Sequence, residues 1–133
     1  ESCIERGDWV PYEVHIGRSV NVDRMVEQIV HDIQNRVPAG RMARRFHQTM
    51  VSVIENMACK ARDMHGINKV VLSGGSFQNR YLSYHAEDRL KGHGFEVYTH
   101  RKVPCNDGGI ALGQILIAAK KRASGEWGGG RSQ

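Results

Sequence analysis

Two short glycine turns hold the residues best suited to chemistry. The first, Leu72-Ser73-Gly74-Gly75-Ser76-Phe77-Gln78-Asn79, leaves the β-branched run Lys69 to Leu72 and leads into a helical pattern. Glycines at a strand exit let the main chain approach a ligand closely, and the N–H groups at the following helix start attract phosphate. Ser73, Gly74, Gly75 and Asn79 are therefore candidate nucleotide contacts. The turn has neither the Gly-Lys-Ser/Thr of a P-loop nor the spaced glycines of the dinucleotide fingerprint. On its own, a Gly-Gly after a strand is more often a plain tight turn. The second, Pro104-Cys105-Asn106-Asp107-Gly108-Gly109-Ile110, offers the Asp107 carboxylate to a cation and the Gly108 and Gly109 backbone to a phosphate. In isolation, an Asp before a helix is more often its cap.

These turns need elements to position them. Val22, Met25, Val26, Ile29, Val30, Ile33 and Val37 recur at helical steps, with Asn21 as N-cap and Pro38 and Gly40 as the stop. A longer helix is expected from about Arg41 to His65, with Ala43, Phe46, Met50, Ile54, Met57, Ala61 and Met64 as its stripe, its methionines as core filler and Gly66 as its C-cap. Lys69 to Leu72 reads as a buried strand, and a helix from near Asn79 turns Leu82, Ala86 and Leu90 inward before Gly92 or Gly94. Phe95 to His100 alternates as a strand. After the second turn, Ile110 to Ala118 is apolar on most sides and is expected to be buried between layers. The order implies an α/β fold with two parallel strands joined by a crossover helix, so both turns leave the same sheet edge and share one crevice. A parallel sheet needs both faces covered, and one this thin calls for an upstream partner.

The chain divides into a lead-in over 1–20 with a candidate edge strand at Pro11 to Ile16, a lobe over 21–122 and a flexible tail over 123–133. The absence of an initiator methionine suggests an excised piece. With 133 residues, 40% hydrophobic and 25% charged, the chain has the composition of a globular domain. Its net charge of +5 is scattered rather than blocked, so nucleic acid is not an expected partner. Cys3, Cys59 and Cys105 form no C-x-x-C pair, which fits a reducing cytoplasm. No run of about 18 apolar residues or signal-peptide layout supports a membrane role. The seven histidines give no H-x-x-x-H pair, and His47 reads as a packing residue rather than a ligand. No neighbouring base marks Cys105 as a nucleophile.

Phe46-His47-Gln48-Thr49, the first glycine turn, and Val103-Pro104-Cys105-Asn106-Asp107-Gly108-Gly109-Ile110-Ala111-Leu112-Gly113-Gln114 together resemble the C-terminal part of the HypF carbamoyltransferase family, in order from about Asn21 to Lys120. The family pattern most often has valine where this chain has Ser76, a departure that bears on loop packing. The resemblance implies the second lobe of an actin-like ATPase (ribonuclease H-like) domain that is incomplete without the upstream lobe of a much longer chain. It implies transfer of a carbamoyl group from carbamoyl-adenylate, made from carbamoyl phosphate and ATP, to the C-terminal cysteine thiol of HypE in nickel-iron hydrogenase maturation. By position, Asp107 matches a ligand of a divalent metal (iron, zinc or magnesium) whose histidines belong to the first lobe. Gly74, Gly75 and Asn79 match the nucleotide loop, and Gly108 and Gly109 flank its pocket. Two alternatives are a relative of the tRNA threonylcarbamoyladenosine synthase, which shares the domain, and a non-catalytic HypE-docking module.

Overall fold

The computed structural model describes residues 10–17, 19–100 and 102–125. The part of the expected tail beyond residue 125, and Cys3, lie outside the described residues. Strands β1 (His15–Ile16) and β2 (Val20–Asn21) form a small antiparallel hairpin, closed where Gly17 N–H donates to Ser19 O. Helices α1 (Asp23–Gln34) and α2 (Ala39–His65) follow. Then come β3 (Lys69–Leu72), a 3₁₀ turn (Gly75–Gln78), α3 (Arg80–Gly92), β4 (Glu96–Thr99), a second 3₁₀ turn (Asp107–Gly109) and α4 (Ile110–Ala123).

β3 and β4 pair in parallel, with Leu72 opposite Thr99, and α3 is their crossover. Leu82, Ala86 and Leu90 recur at four-residue steps on α3 and are all buried, as their spacing requires. Leu72, Ala86, Leu90 and Phe95 form the core, joined by Ile54, Ala58 and Cys59 of α2 and by Val70, Phe77 and Val97. Gly66 ends α2 at φ +67°, where its N–H reaches Arg62 O at 2.7 Å. Arg62 also lies over the Phe95 ring and donates to His93 O, closing the edge of the core.

A polar cluster ties the lead-in to the first two helices. Tyr12 N–H donates to Thr49 Oγ1, and the Tyr12 hydroxyl donates to Asp32 Oδ2, each at 2.8 Å. Arg45 pairs with the same carboxylate oxygen at 2.6 Å and stacks on the Tyr12 ring. Burial, and then the hydrogen bond to Asp32, hold the Tyr12 phenol protonated above its ordinary 10.0. Nothing in the local periodicity announces this cluster.

Several expectations are corrected. α1 begins at Asp23 rather than directly after an Asn21 cap, although Asn21 Oδ1 does accept from Asp23 N–H, and the helix stops at Gln34, well before Pro38. Val26, Val30 and Ile33 of its apolar stripe are exposed. α2 starts two residues earlier than expected, and Met57 and Met64 are exposed rather than core filler, because the helix packs on α3 through the side that carries Val51, Ile54 and Ala58. Every described helix that packs on the sheet lies on the Val70, Leu72 and Val97 side, so Val71, 67% exposed, and Tyr98 form a bare second face. α4 has no buried residue: Ile115, Leu116 and Ile117 are each about 60% exposed, because among the described residues the helix meets chiefly the turn before it.

Glu55 bridges α2 to α3, accepting from Arg89 Nη1 at 2.7 Å and His93 Nε2 at 2.5 Å. Burial raises its pKa, but the bonds from Arg89 and His93 outweigh it and hold the carboxyl below its ordinary 4.5. A lowered folded value means that this stability is present above the unfolded pKa and is lost as the pH falls through the folded one. Because Arg89 is half-exposed, the interaction is worth less than about 1 kcal/mol. Glu55→Gln should lower stability slightly at neutral pH and flatten its decline below pH 4.5, as read from urea unfolding at a series of pH values.

Candidate functional site

Both glycine turns leave the C-terminal ends of the parallel pair, the edge at which open α/β sheets bind ligands. They are joined directly: Gly74 N–H donates to Cys105 O at 2.8 Å. A second tie lies beside the first, where His100 Nε2, just beyond β4, is 2.8 Å from Ser73 Oγ. Of the expected residues, Ser73, Gly74 and Gly75 are thereby brought to the segment that carries Asp107, Gly108 and Gly109. The sequence reading missed His100 as a partner, although its place one residue past an alternating strand puts it at this edge.

In the first turn Gly74 has φ +104° and ψ 161°, a region that residues with a Cβ rarely adopt. Gly75 has no such requirement, and a Cβ built there would meet nothing within 4 Å. Nothing among the described residues therefore demands a glycine at 75. The Gly75 and Ser76 N–H groups have no acceptor among the described residues. Asn79 Oδ1 caps α3 by accepting from Leu82 N–H at 3.1 Å, and its Nδ2 lies 2.7 Å from His47 Nε2. Two of the bonding positions of the Asn79 amide are thus used within the chain. His47 is satisfied by Asn79 and by Ala43 O, in keeping with a packing role.

In the second turn the cap is Asn106 and not Asp107. Asn106 Oδ1 accepts from Gly108 N–H and its carbonyl accepts from Gly109 N–H, both at 3.0 Å. The expectation that these two N–H groups face a phosphate is corrected accordingly, because both donate to Asn106. Gly109 is glycine for packing, since a Cβ there would lie 2.8 Å from Pro104 O. The exposed Asp107 carboxylate has no hydrogen bond or ion pair among the described residues. No group of three or more His, Cys, Asp or Glu able to hold a metal occurs among the described residues. Cys59 and Cys105 are free, and no described helix is long and apolar enough to cross a membrane.

The two glycine pairs should therefore respond differently to one methyl group. Gly109→Ala should destabilise the fold by roughly 1–3 kcal/mol through overpacking, whereas Gly75→Ala should leave the unfolding free energy within about 0.5 kcal/mol of the parent. Urea titration of both variants checks this.

Comparison with known proteins identifies the family. Residues 1–114 match the family model described as carbamoyltransferase, Kae1-like domain, second subdomain. Carbamoyltransferase HypF2 of Cupriavidus necator is 40% identical over 83 residues, which are 62% of this chain and 10% of that protein. Carbamoyltransferase HypF of Synechocystis sp. is 37% identical over 89 residues, 67% of this chain and 11% of that one. A crystal structure of full-length HypF in its phosphate- and nucleotide-bound form matches with a TM-score of 0.79 at 42% identity, covering 86% of this chain and 16% of that chain. HypF of T. kodakarensis, at 19% identity and a TM-score of 0.63 over 85% of this chain and 15% of that one, supports the fold alone. The chain spans about a tenth of the length of these two curated relatives. Linked glycine turns at one end of a parallel strand pair thus occur here in a chain that belongs to the HypF carbamoyltransferase family, as the second subdomain of its Kae1-like domain.

Proposed function

We propose that this chain is one half of the nucleotide site of a cytoplasmic carbamoyltransferase, with an actin-like ATPase fold completed by a lobe upstream in the same protein. The observation that carries the reading is the bond from Gly74 N–H to Cys105 O, which makes the two glycine turns a single surface. On that surface the N–H groups of Gly75 and Ser76, which have no acceptor among the described residues, suit phosphate oxygens, and Asp107 suits one side of a divalent cation. The nucleotide-bound state of the matching full-length HypF structure supports the assignment.

In the proposed reaction the cysteine thiol at the C-terminus of HypE attacks the carbonyl carbon of carbamoyl-adenylate. A sulfur–carbon bond forms, the carbon–oxygen bond to the phosphate breaks, AMP leaves and the thiol proton is released. The first turn would hold the AMP phosphate as negative charge gathers on it, and the main-chain donors, fixed by the Gly74 bond, would need little reorganisation. A divalent cation bound with the help of Asp107 would supply further neutralisation of that charge. The tRNA-modifying alternative has less support, since the named relatives are HypF carbamoyltransferases.

In the full-length enzyme, Asp107→Ala should abolish carbamoyl transfer to HypE while carbamoyl-adenylate formation survives; transfer at the parent rate would contradict the assignment. The isolated chain, holding half a site, should bind ATP and a divalent metal weakly or not at all by isothermal titration. Micromolar affinity would contradict the half-site reading.

A further inference from the structure

The geometry points to His47 as a positioning residue of the nucleotide half-site: it fixes Asn79 as a hydrogen-bond donor to an anionic oxygen of the ligand. This rests on the nucleotide reading above and adds to it the direction of one hydrogen bond. Leu82 N–H can only donate, so the Asn79 atom 3.1 Å from it is the amide oxygen. The other terminal atom is then the amide NH₂, which can only donate, and it faces His47 Nε2 at 2.7 Å. Nε2 therefore accepts. The ring proton sits on Nδ1, which donates to Ala43 O at 2.7 Å. Both ends of this relay are main-chain groups of helices, and no other placement of protons satisfies all three contacts.

One hydrogen of the Asn79 amide is taken by His47, and the second is left on a solvent-exposed residue. Asn79 closes the 3₁₀ turn that begins with Gly75 and Ser76, its own N–H bonding to Ser76 O. The turn thus offers three donors, the Gly75 N–H, the Ser76 N–H and the second Asn79 amide hydrogen, which suit a phosphate oxygen. The His47 ring lies edge-on to Tyr81 at 5.5 Å and Phe46 at 5.9 Å, contacts that favour the ring orientation aiming Nε2 at Asn79. Without that acceptor the Asn79 amide has one fixed bond instead of two, and the donor it presents loses its direction.

The test measures ATP binding at this site in the full-length protein, read as the ATP dependence of hydrogen exchange in residues 72–79, for His47→Phe, His47→Gln, Asn79→Asp and Gly75→Leu, with urea unfolding as the control for folding. His47→Phe keeps an aromatic ring and removes the acceptor, and should weaken ATP binding by roughly tenfold. His47→Gln, whose Oε1 can take the place of Nε2, should restore it to within about twofold of the parent. Asn79→Asp keeps an acceptor for Leu82 N–H but sets a carboxylate before the phosphates, and should weaken binding by more than tenfold without lowering the unfolding midpoint. Parent-like affinity in His47→Phe, or failure of a folded His47→Gln to restore it, overturns the inference while an impaired Gly75→Leu leaves the site reading standing. Parent-like affinity in Gly75→Leu overturns the site reading and this inference with it.

Discussion

A single main-chain hydrogen bond, from Gly74 N–H to Cys105 O, turns two distant glycine turns into one surface. It can form only because β3 and β4 run parallel and in register, which brings their C-terminal ends to the same edge. That register depends on the crossover helix α3, whose Leu82, Ala86 and Leu90 are drawn inward with Leu72 and Phe95. A slip of one residue would turn Leu72 out of the core and carry the first turn away from the second. The hydrophobic pattern of a strand and a helix therefore fixes where the site's polar groups meet.

At this edge both helix starts are capped by neutral amides. Asn79 caps α3 and Asn106 caps the turn before α4, so the one acid in the second turn is spared from capping. An aspartate at the cap would have its charge committed to main-chain donors, whereas Asp107 keeps its oxygens. The glycines divide in the same way: Gly74 serves backbone conformation, Gly109 serves close packing against Pro104, and Gly75 serves neither. Similar-looking Gly-Gly pairs in a sequence thus stand for different physical demands.

Much of this was legible where both partners of an interaction lie close in sequence. The bounds of β3, the inward face of α3 and the Gly66 stop all follow from local spacing and backbone chemistry. Periodicity says which face of an element is apolar, but it does not say whether the partner lies in the same chain. Val71, Met57 and Ile115 to Ile117, expected to be buried, are exposed among the described residues. The Tyr12, Asp32, Arg45 and Thr49 cluster was not legible at all, since Tyr12 meets Thr49 across 37 positions with no repeating pattern between them. Which of Asn106 and Asp107 would cap was likewise beyond the sequence, because both side chains can do so and only the turn geometry selects one.

The unity of the two turns is open to direct measurement by hydrogen exchange on the full-length protein, following the segments 72–79 and 103–112 with and without ATP. If they form one half-site, ATP slows exchange in both segments together. Protection confined to one of them would contradict the account.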